Sequence, residues 1–107
     1  MIKHIVMWTI REGETARIKF ERMAEVKARL IALKDKIKEI SNLDVYFNSP
    51  SASADNYDVV LIAEFNSWAD LDVYQKHPDH LEVVEYLRNV RLNRATLDFE
   101  FTPNPVL

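Results

Sequence analysis

Two stretches of this chain, Ile2–Ile10 and Tyr57–Phe65, alternate with the period of a β-strand yet carry apolar residues on both faces. In the first, Ile2, His4, Val6, Trp8 and Ile10 share one side, while Ile5 and Met7 join Lys3 and Thr9 on the other. In the second, Tyr57, Val59, Leu61, Ala63 and Phe65 face one way, and Val60 and Ile62 face the other. A strand that is dry on both sides belongs in the interior of a sheet. Both stretches are therefore predicted to be central strands, which forces the rest of the chain to supply the edges and a covering layer.

The remaining segments supply both. From Ala16 to Lys38 the period becomes helical: Phe20, Met23, Val26, Leu30, Leu33 and Ile37 form one stripe behind an N-cap at Thr15. Leu43, Val45 and Phe47 alternate with polar residues and make a second strand with one dry face. Ser67 caps a helix that carries Trp68, Leu71 and Tyr74 inward and ends near Lys76. Pro78 suits the first turn of a further helix, with Leu81, Val84, Leu87 and Val90 as its apolar stripe. Ala95, Leu97, Phe99 and Phe101 alternate in a final strand over Arg94–Thr102, and Pro103 and Pro105 keep the tail from extending it. The order β-α-β-β-α-β is a split βαβ unit, an α+β domain with a four-stranded antiparallel sheet and its second helix broken at Pro78. Helices can cover only one face of that sheet. Ile5, Met7, Val60 and Ile62, flanked by Tyr46, remain on the other, and a patch of this kind predicts a homodimer through the open sheet faces.

Composition narrows the function. A chain of 107 residues makes one domain, residues 1–107, and a net charge of −3 offers no footprint for phosphate backbones. The βαββαβ order also occurs in RNA-recognition domains, whose third strand carries basic and exposed aromatic residues. Here it carries Asp58, Val60, Ile62 and Glu64, so no nucleic acid is expected. No apolar run reaches the roughly 20 residues needed to cross a bilayer, and Met1–Trp8 does not read as a signal peptide. With no cysteine there is no disulfide framework and no thiolate chemistry. The expectation is a cytoplasmic protein without a membrane partner.

The run Tyr74-Gln75-Lys76-His77-Pro78-Asp79-His80 is the one segment that looks chosen for chemistry. It holds a phenol and two imidazoles, the side chain that titrates nearest neutrality. The alternation of the first strand points His4 toward the helices, where Tyr74 and His80 converge from either side of the Pro78 break. A cavity there would be walled by Trp8, Val59, Leu61, Trp68 and Leu81. In it His80 could take a proton alpha to a carbonyl while Tyr74 stabilises the enolate, with His4 as a further partner. His77 reads as a helix cap. His77-x-x-His80, with Asp79 or Glu82 near, could present two imidazoles to a metal, but neither carboxylate stands out as a third ligand and Pro78 constrains the backbone between them, so no metal and no cofactor are expected. The polar loop Asn48–Asn56 could rim a pocket or simply face solvent.

These residues also carry a resemblance. Lys3-His4-Ile5-Val6, Tyr57-Asp58 with Glu64-Phe65, Tyr74-x-x-His77-Pro78-x-His80 and Leu97-Asp98-Phe99 resemble the stress-responsive A/B barrel (Dabb) family over nearly the whole chain. The resemblance implies a ferredoxin-like fold and a dimeric α/β barrel. The family includes polyketide cyclases of the olivetolic acid type, which perform an intramolecular aldol condensation. Tyr74 and His80 match their catalytic tyrosine and histidine, and His4 matches a pocket histidine. Val59 stands where those enzymes carry another. Three functions are in view: binding of a small apolar carbonyl or aromatic ligand, cofactor-free cyclase, aldolase or isomerase chemistry, and a purely structural dimer.

Overall fold

The computed structural model describes residues 1–103, and the expectation for the tail from residue 104 onward falls outside them. The elements are β1 (Ile2–Ile10), α1 (Ala16–Lys36), β2 (Ile40–Phe47), β3 (Val59–Phe65), α2 (Trp68–Lys76), α3 (Pro78–Val90) and β4 (Arg91–Glu100). The four strands form one antiparallel sheet in the order β2-β3-β1-β4. The two strands that are apolar on both sides are the central ones, and the fold is ferredoxin-like α+β.

Local chemistry sets the helix boundaries. The Thr15 hydroxyl accepts from the Ile18 N–H at 3.3 Å, and Ser67 accepts from the Asp70 N–H at 3.1 Å. His77 closes α2 with its own backbone N–H on the Tyr74 carbonyl. Its ring Nδ1 then accepts from the Asp79 N–H at 3.1 Å to open α3. One residue thus caps two helices, and Pro78 at the first position of α3 forbids their fusion.

Asp58 fixes the opposite end of β1. It accepts from the Ile10 N–H at 2.7 Å, pairs with Lys19 at 3.3 Å, and donates its own N–H to the Trp8 carbonyl. This accounts structurally for the aspartate in the Tyr57-Asp58 pattern.

The core lies between the sheet and the helices. Alternate residues of β1 and β3 meet Val26, Leu30, Leu33, Leu71, Tyr74, Val83 and Leu87 there. Two helical stripes differ from expectation. Phe20 is 60% exposed, because its ring lies at the periphery, edge-on to Phe47. In α3 the buried positions are Val83, Leu87 and Val90, and Leu81 turns outward.

The second sheet face is uncovered by any helix. The register sets Ile5 between Ile62 and Leu97, Met7 between Val60 and Ala95, and Tyr46 beside Val60. Leu97 is 61% exposed, and Phe99 joins it on the same face of β4. The apolar side of β4 thus extends the patch, while its polar side faces the helix layer.

Candidate active site

Between β1, β3, β4, α1, α2 and α3 lies a cavity of about 240 Å³. Each polar group reaches it by a different local rule. His4 comes from the inward face of β1 and is 3% exposed. Antiparallel pairing sets Asp98 of β4 directly opposite, and the His4 Nδ1 is hydrogen-bonded to the Asp98 carboxylate. That bond orients the imidazole, and it leaves Nε2 as the ring's second nitrogen.

Tyr74 sits in the last turn of α2, fully buried, with its ring centroid 6.1 Å from His4 and 5.0 Å from Phe65. Among the described residues its hydroxyl finds no hydrogen-bond partner. A buried hydroxyl without a partner costs free energy. Burial raises the Tyr74 pKa well above the ordinary phenol value and keeps the group a donor.

His80 enters from the first turn of α3. Its Nδ1 lies 3.1 Å from the Gln75 carbonyl, a group that can only accept, so Nδ1 carries the proton and Nε2 is the basic nitrogen. Burial is the main cause that lowers its pKa from 6.5. The Gln75 bond opposes the shift, and His4, Arg94 and His77 add to it. At neutral pH His80 is therefore an uncharged base.

The sequence-predicted residues divide into two groups. His4, Tyr74, His80, Trp8 and Leu61 all line the cavity. Val59 is buried in β3 beside Trp8, but toward the groove near Phe47 and Asn48 rather than on this wall. Leu81 is 52% exposed, because α3 packs through Val83 and Leu87. Trp68, at the first residue of α2, has not yet turned over the sheet. It stays half exposed and donates its indole N–H to Glu100 at 2.8 Å. Trp68 and Leu81 are thus corrected to surface positions. The Asn48–Asn56 loop closes on itself through Asn48 Nδ2 to the Ser53 carbonyl and Asn56 Nδ2 to Asn48 Oδ1, and none of it lines the cavity. His77 is occupied as a cap. Among the described residues no group of three His, Cys, Asp or Glu side chains converges, and no helix is long and apolar enough to cross a membrane.

Sequence reasoning missed two features. Asp98 as the partner of His4 was readable once β1 and β4 were paired antiparallel. Arg88, Arg91 and Arg94, which also line the cavity, are three residues apart but straddle the α3–β4 boundary, so no single period gathers them on one face.

The family model described as Stress responsive A/B Barrel Domain matches residues 2–101. Among solved structures, a dimeric ferredoxin-like protein from Bacteroides fragilis is 29% identical. It covers 94% of this chain and 95% of its own, with a TM-score of 0.83. A dimeric ferredoxin-like protein from Thermobifida fusca is 23% identical, with coverage of 94% and 90% and a TM-score of 0.79. The hydroxynitrile lyase from Passiflora edulis superposes with a TM-score of 0.78 over 98% and 96% of the two chains, at 16% identity, a likeness of fold alone. A comparison with curated proteins gives no significant match.

Proposed function

This chain belongs to the stress responsive A/B barrel domain family, and from that premise we propose that it is a homodimer whose sheet–helix cavity binds a small, largely apolar molecule bearing a carbonyl group. The observation that carries the reading is the Tyr74 hydroxyl, buried on the cavity wall with no partner among the described residues. A carbonyl oxygen would accept its proton, and Trp8, Leu61 and Leu87 would enclose an apolar body. Dimerisation through the open face would cover Ile5, Met7, Ile62 and Leu97, and the dimeric Bacteroides fragilis relative supports that assembly.

A second reading, proton-transfer catalysis without a cofactor, is favoured by the tautomer of His80. Its Nε2 lone pair is free to take a proton alpha to a bound carbonyl, becoming an imidazolium. Tyr74 would donate to the oxygen as it gains enolate character, and the proton on His80 would return to carbon or to a leaving oxygen.

Native mass spectrometry of the protein purified from its own host tests the first reading. A dimer carrying a small organic mass supports it. A bare dimer whose melting temperature is also unmoved by acetophenone would sink the cavity, and a monomer would sink the assembly. For the second reading, a bell-shaped pH–rate profile should disappear in both His80→Ala and Tyr74→Phe.

A further inference from the structure

The chain as a whole is acidic, with 17 aspartates and glutamates against 14 lysines and arginines. Its cavity is the reverse. Among the described residues three arginines line it, and no carboxylate does.

The three arrive separately. Arg88 lies in the last turn of α3, Arg91 is the residue that caps that helix, and Arg94 follows in β4 opposite Trp8 on the helix side of the sheet. Arg88 has an acidic neighbour, Glu85, at 3.3 Å, and its position at a helix C-terminus suits a cation without any ligand. Arg91, as the cap of α3, shares the helix-end position but has no acidic neighbour, and Arg94 in β4 has neither explanation. Among the described residues no carboxylate lies within ion-pair distance of either. Asp98 and Glu100, the acidic residues of β4 on the same face as Arg94, are engaged by His4 and Trp68 respectively.

We propose that the cavity takes a small apolar acid, whose carboxylate is held by Arg94 and Arg91 while its body lies against Val6, Trp8 and Leu61. The inference rests on the cavity being a binding site and names the class of ligand. Guanidinium forks match the planar carboxylate and make charge-assisted bonds to it. The far wall argues against a purely polar anion. It is built from Val6, Leu30, Leu61, Val83 and Leu87, which inorganic phosphate would leave empty. The buried Tyr74 hydroxyl adds a donor deeper in the cavity, so an acid with a second oxygen on its body is accommodated as well.

The test is calorimetric titration of the wild-type protein and the Arg91→Gln/Arg94→Gln variant with benzoate, benzamide and inorganic phosphate at one ionic strength. Benzoate and benzamide share a shape and differ in charge. Loss of the charge-assisted bonds should weaken benzoate about tenfold or more in the variant and leave benzamide nearly unchanged. Wild-type protein should prefer benzoate to benzamide by a similar factor and bind phosphate more weakly than benzoate. Both substitutions replace partly or fully exposed side chains, and circular dichroism with a melting curve verifies that the variant folds. Equal affinity for benzoate and benzamide, or a variant that binds benzoate as before, would overturn the inference while leaving the cavity intact as a neutral-ligand site. Phosphate binding as tight as benzoate would overturn the carboxylate class. Failure of both aromatic probes to bind would overturn the cavity reading itself, and this inference with it.

Discussion

The rings of Tyr74 and His80 lie 4.4 Å apart, centroid to centroid, at an interplanar angle of 43°. They belong to different helices and are brought together because α2 and α3 are separated by one capping residue. The phenol is held protonated and the imidazole neutral by the same burial, so a donor and a free base share one wall.

Stability should depend on the protonation of His80. Its folded pKa is lowered from 6.5, mainly by burial, so between the folded and unfolded values the unfolded chain binds more protons. Stability should therefore rise with pH through that window and fall as the pH drops below about 6.5. Urea denaturation from pH 5 to 7.5 should show this slope in the wild type and a shallower one in His80→Gln. An NMR titration in which His80 titrates at or above an ordinary histidine would contradict it. The groups facing it are the Gln75 carbonyl, His4, His77 and Arg94.

Tyr74→Phe should separate function from folding. It deletes a buried hydroxyl with no partner among the described residues, so the unliganded protein should keep its stability or gain about 1 kcal/mol. Affinity for a carbonyl ligand should fall about tenfold, the worth of one hydrogen bond. A variant that loses several kcal/mol in a melting experiment would mean that the hydroxyl braces the fold.

Packing predicts opposite outcomes for two apolar residues of α1. Leu33 is 1% exposed, and Leu33→Ala should cost about 2–5 kcal/mol in urea denaturation. Phe20→Ala, at a largely exposed position, should cost less than about 1 kcal/mol. Equal losses would place Phe20 in the core after all.

The open sheet face can be probed without touching the cavity. Leu97→Lys changes an exposed side chain on the face opposite His4, so the monomer should fold normally. Sedimentation equilibrium should show a dimer dissociation constant raised at least about tenfold, because pairing of the open faces would bury the added charges. An unchanged constant would remove this face from the assembly.

Strands were easier to read from the sequence than helix faces, for a physical reason. Period two admits one assignment of sides, and the two-sided apolarity of β1 and β3 leaves only the centre of the sheet for them. In α3, apolar residues at 81, 83, 84, 86, 87 and 90 support two stripes offset by about one residue, and packing decides between them in favour of Val83. Trp68 shows the same limit at a helix start, where period alone does not say whether the first turn has reached the sheet. The histidines and Tyr74 were legible because few side chains carry such chemistry. Arg91 and Arg94 were not, because a cation between a helix and an edge strand looks like any solvated residue until the β1–β4 register is known.

β1 interleaves two sets of neighbours: His4, Val6 and Trp8 on the cavity side, and Lys3, Ile5 and Met7 on the open side. Adjacent residues thus answer to different surroundings. Substitution at even positions changes the cavity lining while the odd positions keep their contacts, and the reverse holds equally. Insertion or deletion of a single residue within the strand has no such freedom. It would exchange the two sets along the rest of β1 at one stroke, carrying imidazole and indole to the outer face, so this strand should vary by replacement and hardly at all in length.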